Sequence, residues 1–122
     1  MKLIGKRIYL MQWTANDAKA LQEMCNDKTI SDFTRVPFPY TLTHAKKYLK
    51  NSAKQFKEKK SLGFAIKLKN KHTLIGSIEL MKINKEHKRS VLGYFVHRNF
   101  RGEGYAVEAG KLILKFAFKK LK

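Results

Sequence analysis

The residues of this chain best suited to chemistry form one short run, Arg101-Gly102-Glu103-Gly104-Tyr105-Ala106. An apolar, strand-like segment precedes it and a segment with helical spacing follows. Glycines at a strand-to-helix turn let the backbone approach a ligand closely, and the first amides of the helix have no acceptor within it, so the turn suits an anion such as a diphosphate. Arg101 opens the turn and Arg98 lies three residues earlier, which places two cations to flank the same anion. Glu103 does not help an anion and is expected to face solvent. A tight turn that merely needs positive φ at its glycines explains the same spacing, so the run alone does not decide. A Rossmann fingerprint would need a third glycine and a downstream acid closing a βαβ unit, and a phosphate loop would need Gly-Lys-Ser/Thr. Neither is present in the run.

Short alternating strands and helices must position this turn. Ile8-Tyr9-Leu10-Met11 is β-branched and aromatic and reads as a first strand. Thr14 stands where an N-cap would, with Asp17 three residues on, and Ala18, Leu21, Met24 and Cys25 recur at helical spacing. Residues 26–40 carry Asp27, Ser31, Asp32, Pro37 and Pro39 and read as a loop. Thr41 or Thr43 caps a second helix in which Ala45, Tyr48, Leu49, Ala53 and Phe56 face one way and a lysine series faces solvent. Residues 64–68 and 74–81, joined by a polar turn at Asn70-Lys71, read as an antiparallel hairpin. After a charged turn, residues 90–96 form a third strand, so apolar that burial on both faces is expected. A last helix spans about residues 104–121. Its polar stripe is Glu108, Lys111, Lys115, Lys119 and Lys122, and its apolar stripe is Val107, Gly110, Ile113, Leu114, Ala117 and Leu121.

The 122 residues, 43% of them hydrophobic, suit one domain with a single core, taken here as residues 1–122. Cys25 is the lone cysteine, which excludes a disulfide scaffold and a cysteine-based zinc site; no metal site is expected. It falls on an apolar helical stripe and reads as a core thiol. The opening residues are interrupted by Lys6 and Arg7, and no apolar run is long enough for a membrane span, so the expectation is a cytoplasmic chain without a membrane partner. A net charge of +18 favours polyanionic partners without choosing among them. Only five of the 27 basic residues are arginine, and a lysine-rich solvated surface explains the charge as well as a nucleic-acid footprint does.

Residues 92–109 resemble the acetyl-CoA segment of the GNAT superfamily of N-acetyltransferases. Its signature, Arg/Gln-x-x-Gly-x-Gly/Ala, is met by Arg101, Gly104 and Ala106. Lys6-Arg7-Ile8-Tyr9-Leu10, Trp13, Asp17-Ala18, Pro39-Tyr40-Thr41 and Leu74-Ile75-Gly76-Ser77-Ile78 resemble, in order, its Rim-type branch, which includes ribosomal-protein N-terminal and spermidine acetyltransferases. The resemblance implies an α+β fold, a mixed and mostly antiparallel sheet flanked by helices. It implies acetyl-CoA as acetyl donor, held by main-chain groups of Tyr94, Phe95 and Val96 and by the turn Arg101, Gly102, Glu103, Gly104, Tyr105 and Ala106.

Acetyl transfer to an amine needs an uncharged nitrogen and a proton for the departing thiolate. Glu79, in a strand otherwise made of Ile78, Leu80 and Met81, is the candidate general base; a strand residue facing outward and paired with lysine is its plainer reading. His97 is a turn histidine with less claim. Val91 stands where the branch often has an acidic residue. Family members continue past the last helix with further strands and a helix, so the resemblance implies a C-terminally incomplete domain whose 90–96 strand lacks one neighbour. A homo-oligomer covering that edge is the expected consequence. The acceptor is expected to be a primary amine, a protein N-terminus or a polyamine. The +18 surface tilts the choice toward a protein, with the ribosome or another acidic partner in view. The alternative is a catalytically impaired module that binds CoA, or nucleic acid through its basic surface.

Overall fold

The computed structural model describes residues 1–120 except 33, 35, 85 and 88; Leu121 and Lys122, placed above on the two stripes of the last helix, lie outside the described residues. Five strands form one antiparallel sheet in chain order: β1 (Lys2–Ile4), β2 (Ile8–Gln12), β3 (Leu62–Leu68), β4 (Leu74–Asn84) and β5 (Arg89–Val96). The helices are α1 (Ala18–Cys25), the single turn α2 (Lys28–Ser31), α3 (Leu42–Lys57) and α4 (Tyr105–Lys120). The sheet is therefore antiparallel throughout, an α+β arrangement. Strand β1, absent from the sequence reading, is three residues long and pairs Leu3 with Leu10.

Local chemistry accounts for the boundaries. The Asp17 carboxylate reaches back to the Thr14 amide (2.9 Å), closing the turn that leads into α1. The Thr41 hydroxyl accepts the His44 amide at 3.2 Å and starts α3. Within residues 26–40 the expected loop contains α2, because the Asp27 carboxylate accepts the Thr29 amide (2.9 Å) and nucleates one helical turn.

Strand alternation divides the sheet into two faces, each with its own core. On one, Ile8, Leu10, Phe64, Ile66, Ile78 and Leu80 pack against Ala109 and Ile113 of α4. On the other, Ala65 packs against Trp13, Leu21, Met24 and Cys25 and, from α3, Ala45 and Leu49. Cys25 is a core thiol whose ionisation burial pushes up to about 12.

Two expectations fail. Strand β5 is not buried on both faces: it is the last strand of the sheet, and Val91, Leu92 and Tyr94 are exposed. An apolar run cannot report which of its neighbours the sheet supplies. The apolar stripe of α4 is also partly rotated: Ile113 and Ala117 face the core as expected, but the helix packs as well through Tyr105, Ala109, Leu112 and Phe116, whereas Val107 and Leu114 are exposed. Glu108, placed on the solvent stripe, instead pairs with Arg7. Among the described residues, no helix is long and apolar enough to cross a membrane.

Candidate functional site

The end of β5 is fastened before the chain turns. The His97 amide donates to the Ile75 carbonyl (2.7 Å), and the His97 ring nitrogen Nδ1 accepts the Asn99 amide (3.2 Å), starting a 3-10 turn over Arg98–Phe100. His97 is thus a capping residue. Gly102 and Gly104 follow at φ +79° and +82°, in the left-handed region that glycine enters without cost. The first helical hydrogen bond of α4 runs from the Glu108 amide to the Gly104 carbonyl (3.1 Å). The amides of Tyr105, Ala106 and Val107 therefore belong to the first turn, where a helix offers donors rather than uses them.

Arg7, just before β2, holds this turn in place. Its Nη1 donates to the Glu103 carbonyl (2.8 Å), its Nε to Glu108 Oε1 (2.9 Å), and its guanidinium lies over the Tyr105 ring, 4.4 Å from the centroid. Glu108 Oε2 also accepts the amides of Arg7 (2.9 Å) and Ile8 (3.3 Å). Burial pushes the Glu108 carboxyl upward, but these bonds and the Arg7 charge outweigh it and hold it below the ordinary glutamate range.

A cleft of about 490 Å³ opens beside the turn. Strand β5 lines it with Tyr94, Phe95 and Val96; the turn and the start of α4 with Arg101, Gly102, Gly104, Tyr105 and Ala106; and the α2 segment with Thr29, Ile30 and Thr34. The turn, the strand end and the helix start named from sequence are thus brought together on one cleft, Glu103 excepted, whose carbonyl serves Arg7 instead. The Arg101 guanidinium is a clasp: Nε donates to the Val96 carbonyl (2.7 Å) and Nη2 to Thr29 Oγ1 (3.3 Å), joining the strand end to α2. The expectation of Arg98 and Arg101 as two free cations around one anion therefore changes. Hydrogen bonds from the Thr29 hydroxyl and amide, and then the charges of Arg98 and Arg101, hold the Asp27 carboxyl below its usual range, so Asp27 offsets part of the positive charge there.

Glu79 lies on β4, one strand in from the cleft edge. It is half-buried, and its Oε1 accepts a hydrogen bond from the Tyr48 hydroxyl (2.8 Å), so the outward, lysine-paired reading is replaced by a tyrosine contact. Burial first, and the Glu79 charge second, push the Tyr48 phenol well above the ordinary tyrosine range, keeping it a donor.

The sequence profile of the acetyltransferase (GNAT) domain matches residues 7–122. The chain belongs to the GNAT acetyltransferase family. It is 26% identical over 121 residues to YnaD of Bacillus subtilis, an uncharacterised N-acetyltransferase, covering 99% of this chain and 68% of that protein. Its fold is similar to a candidate ribosomal-protein-serine acetyltransferase from Vibrio cholerae (TM-score 0.86, 20% identity, 99% of this chain and 68% of the other). It is also similar to the microcin C7 self-immunity acetyltransferase MccE, solved with acetyl-CoA and AMP (TM-score 0.80, 20% identity, 92% and 63%). The chain thus spans about two thirds of the length of these proteins.

As a GNAT acetyltransferase the protein uses acetyl-CoA, and the residues present suit that group: the open position at Gly102 admits a phosphate close to the backbone, the Arg7 guanidinium stands 3.4 Å from where a Cβ at Gly104 would lie, and the helix start offers amide donors. Among the residues that escaped the sequence reading, three hold the site together. Arg7 stood in a matched block without a role, because its partners Glu103 and Glu108 lie about a hundred positions away. Thr29 was announced only by the Asp27-x-Thr29 spacing. Tyr48 was counted as core, and only its pairing with Glu79 across two elements separates it from an apolar neighbour.

Proposed function

We propose that this acetyltransferase moves an acetyl group to the primary amine of a protein N-terminus, with Glu79 as general base. The observation that carries the reading is the 490 Å³ cleft, which joins the end of β5 to the amides of the glycine turn while Glu79 stands on the adjoining strand. Acetyl-CoA supplies an activated acetyl thioester. The amides of Gly102, Gly104, Tyr105 and Ala106 bind its diphosphate, and the main chain of Tyr94, Phe95 and Val96 aligns the pantetheine arm along β5. Glu79 accepts the first proton of the acceptor ammonium, the carboxylate gaining an O–H bond as the N–H bond breaks; the freed nitrogen lone pair forms the C–N bond as the thioester C–S bond breaks, and the second N–H proton goes to the departing thiolate, which leaves as the thiol. Thr29, Ile30 and Thr34 form the wall facing β5 and meet the acceptor side. The net charge of +18 repels a polyamine and attracts an acidic protein or the ribosome, and the name of the Vibrio cholerae neighbour points to a ribosomal protein as its acceptor. The reading places the enzyme in the cytoplasm.

The exposed start of the β5 edge, at Val91 and Leu92 ahead of the cleft, supports a second copy pairing along that part of the strand. Size-exclusion chromatography with light scattering is expected to give a dimer, and a monomer at every concentration tested contradicts it.

A thiol-release assay with acetyl-CoA over serine-, alanine- and methionine-initiated peptides and over spermidine tests the acceptor. Turnover with the peptides above spermidine is the expected result. Turnover with spermidine alone refutes the acceptor class, and binding of acetyl-CoA without turnover on any amine favours a non-catalytic module.

A further inference from the structure

Glu79 stands in an unusual place in the sheet. Its cross-strand neighbours are glycines on both sides, Gly63 on β3 and Gly93 on β5. A side chain in a sheet is normally confined by the residues opposite it, and neither neighbour offers one here. A Cβ at Gly63 would lie 3.6 Å from both Glu79 Oε1 and the Tyr48 hydroxyl and 3.0 Å from Ser52 Oγ. The vacant position above Gly63 is therefore where the carboxylate meets α3, which presents Tyr48 and Ser52 one helical turn apart on the same face. The Tyr48 ring is itself braced, edge-on to Trp13 at 6.3 Å and 88°. Trp13 is buried in the core formed with α1 and α3, so the phenol is fixed from behind before it reaches the carboxylate.

We infer that Tyr48 is the positioning residue for Glu79: its hydroxyl pins Oε1 over Gly63 and so leaves Oε2 as the atom that receives the ammonium proton. The inference rests on the reading of Glu79 as general base. Oε1 is then committed as an acceptor, and its partner cannot supply a competing negative charge, because burial keeps the phenol protonated. The glycine at position 63 is the complement of this arrangement, since any side chain there would occupy the space in which the three polar groups converge.

The test compares Tyr48→Phe, Glu79→Gln and, as a control for the loss of a phenol hydrogen bond elsewhere, Tyr9→Phe, which removes the hydroxyl paired with His72 Nδ1 at 2.8 Å. Tyr48→Phe is expected to lower kcat for the peptide acceptor about tenfold, the scale of one hydrogen bond to a charged group. It should leave the KM for acetyl-CoA within about twofold, while Tyr9→Phe leaves both constants unchanged. Three-bond carbon couplings of the Glu79 side chain, measured by NMR without any turnover, are expected to report one rotamer in the unmodified protein and an average of several in Tyr48→Phe. If Tyr48→Phe keeps full kcat and the single rotamer while Glu79→Gln abolishes turnover, the role of Tyr48 is overturned and that of Glu79 stands. If Glu79→Gln itself turns over at the unmodified rate, the general-base reading falls, and the inference falls with it.

Discussion

Replacing Glu108 with glutamine tests how the glycine turn is held. The carboxylate accepts three donors, the Arg7 side chain at 2.9 Å on Oε1 and the amides of Arg7 (2.9 Å) and Ile8 (3.3 Å) on Oε2. A glutamine can keep one oxygen toward the two amides, but its NH₂ then faces the guanidinium, donor against donor. The side chains are 43% and 18% exposed, so solvent screening reduces the ion pair to about 1 kcal/mol. Loss of charge on the two amide bonds adds about 0.5 kcal/mol each, which brings the expected destabilisation to about 2 kcal/mol. For a chain of this length that corresponds to a melting temperature lower by about 6–10 °C. The pH dependence fixes the mechanism. A carboxyl held below its ordinary value in the folded state stabilises the fold above the unfolded-state pKa of about 4.3, and that stabilisation disappears as pH falls through the folded value. Urea unfolding of both proteins from pH 7 to pH 3 should therefore show a constant gap down to about pH 5 that closes in acid. A gap below about 0.5 kcal/mol at pH 7, or one that persists unchanged at pH 3, refutes the assignment.

Arg101→Glu is expected to weaken acetyl-CoA binding at least tenfold by calorimetry and, by breaking the clasp between the Val96 carbonyl and Thr29, to raise amide exchange across Lys28–Ser31; unchanged affinity refutes the placement of the diphosphate. Gly104→Ala forces a side chain at φ +82° and should cost about 1–2 kcal/mol in urea unfolding, with a parallel loss of acetyl-CoA affinity, whereas wild-type stability would show that the turn relaxes freely. Cys25, with its thiol pushed up to about 12 by burial, should not react with a disulfide reagent at pH 8 until the protein is unfolded in urea. Rapid labelling of the folded protein contradicts the core assignment.

What the sequence revealed followed how local the signal was. The capping residues Thr14 and Thr41, the 64–68 and 74–81 hairpin and the positive φ of Gly102 and Gly104 are written in a few adjacent residues, and all appear in the structure. The partial rotation of α4 could not be read because Val107 and Leu114, which are exposed, and Leu112 and Phe116, which pack on the core, are equally apolar, and only the sheet decides which of them it covers. Apolarity of residues 90–96 likewise says nothing about being last in the sheet. At the site, the turn itself was legible, whereas Arg7, Thr29 and Tyr48 act through partners brought close by the fold from 31 to 101 positions away. Even Arg101, named from its motif, spends its guanidinium on the protein, a use that spacing does not encode.

The seat of the acetyl donor is tested most directly by titrating acetyl-CoA into the isotope-labelled protein and following its backbone amides by NMR. The expected result is saturable shifts concentrated at Gly102, Gly104, Tyr105 and Ala106 and along β5 at Tyr94–Val96, with little change at Lys69–Lys71 in the basic cleft on the other flank of Tyr105. Saturable shifts centred on Lys69–Lys71, with the glycine turn unmoved, would contradict the account.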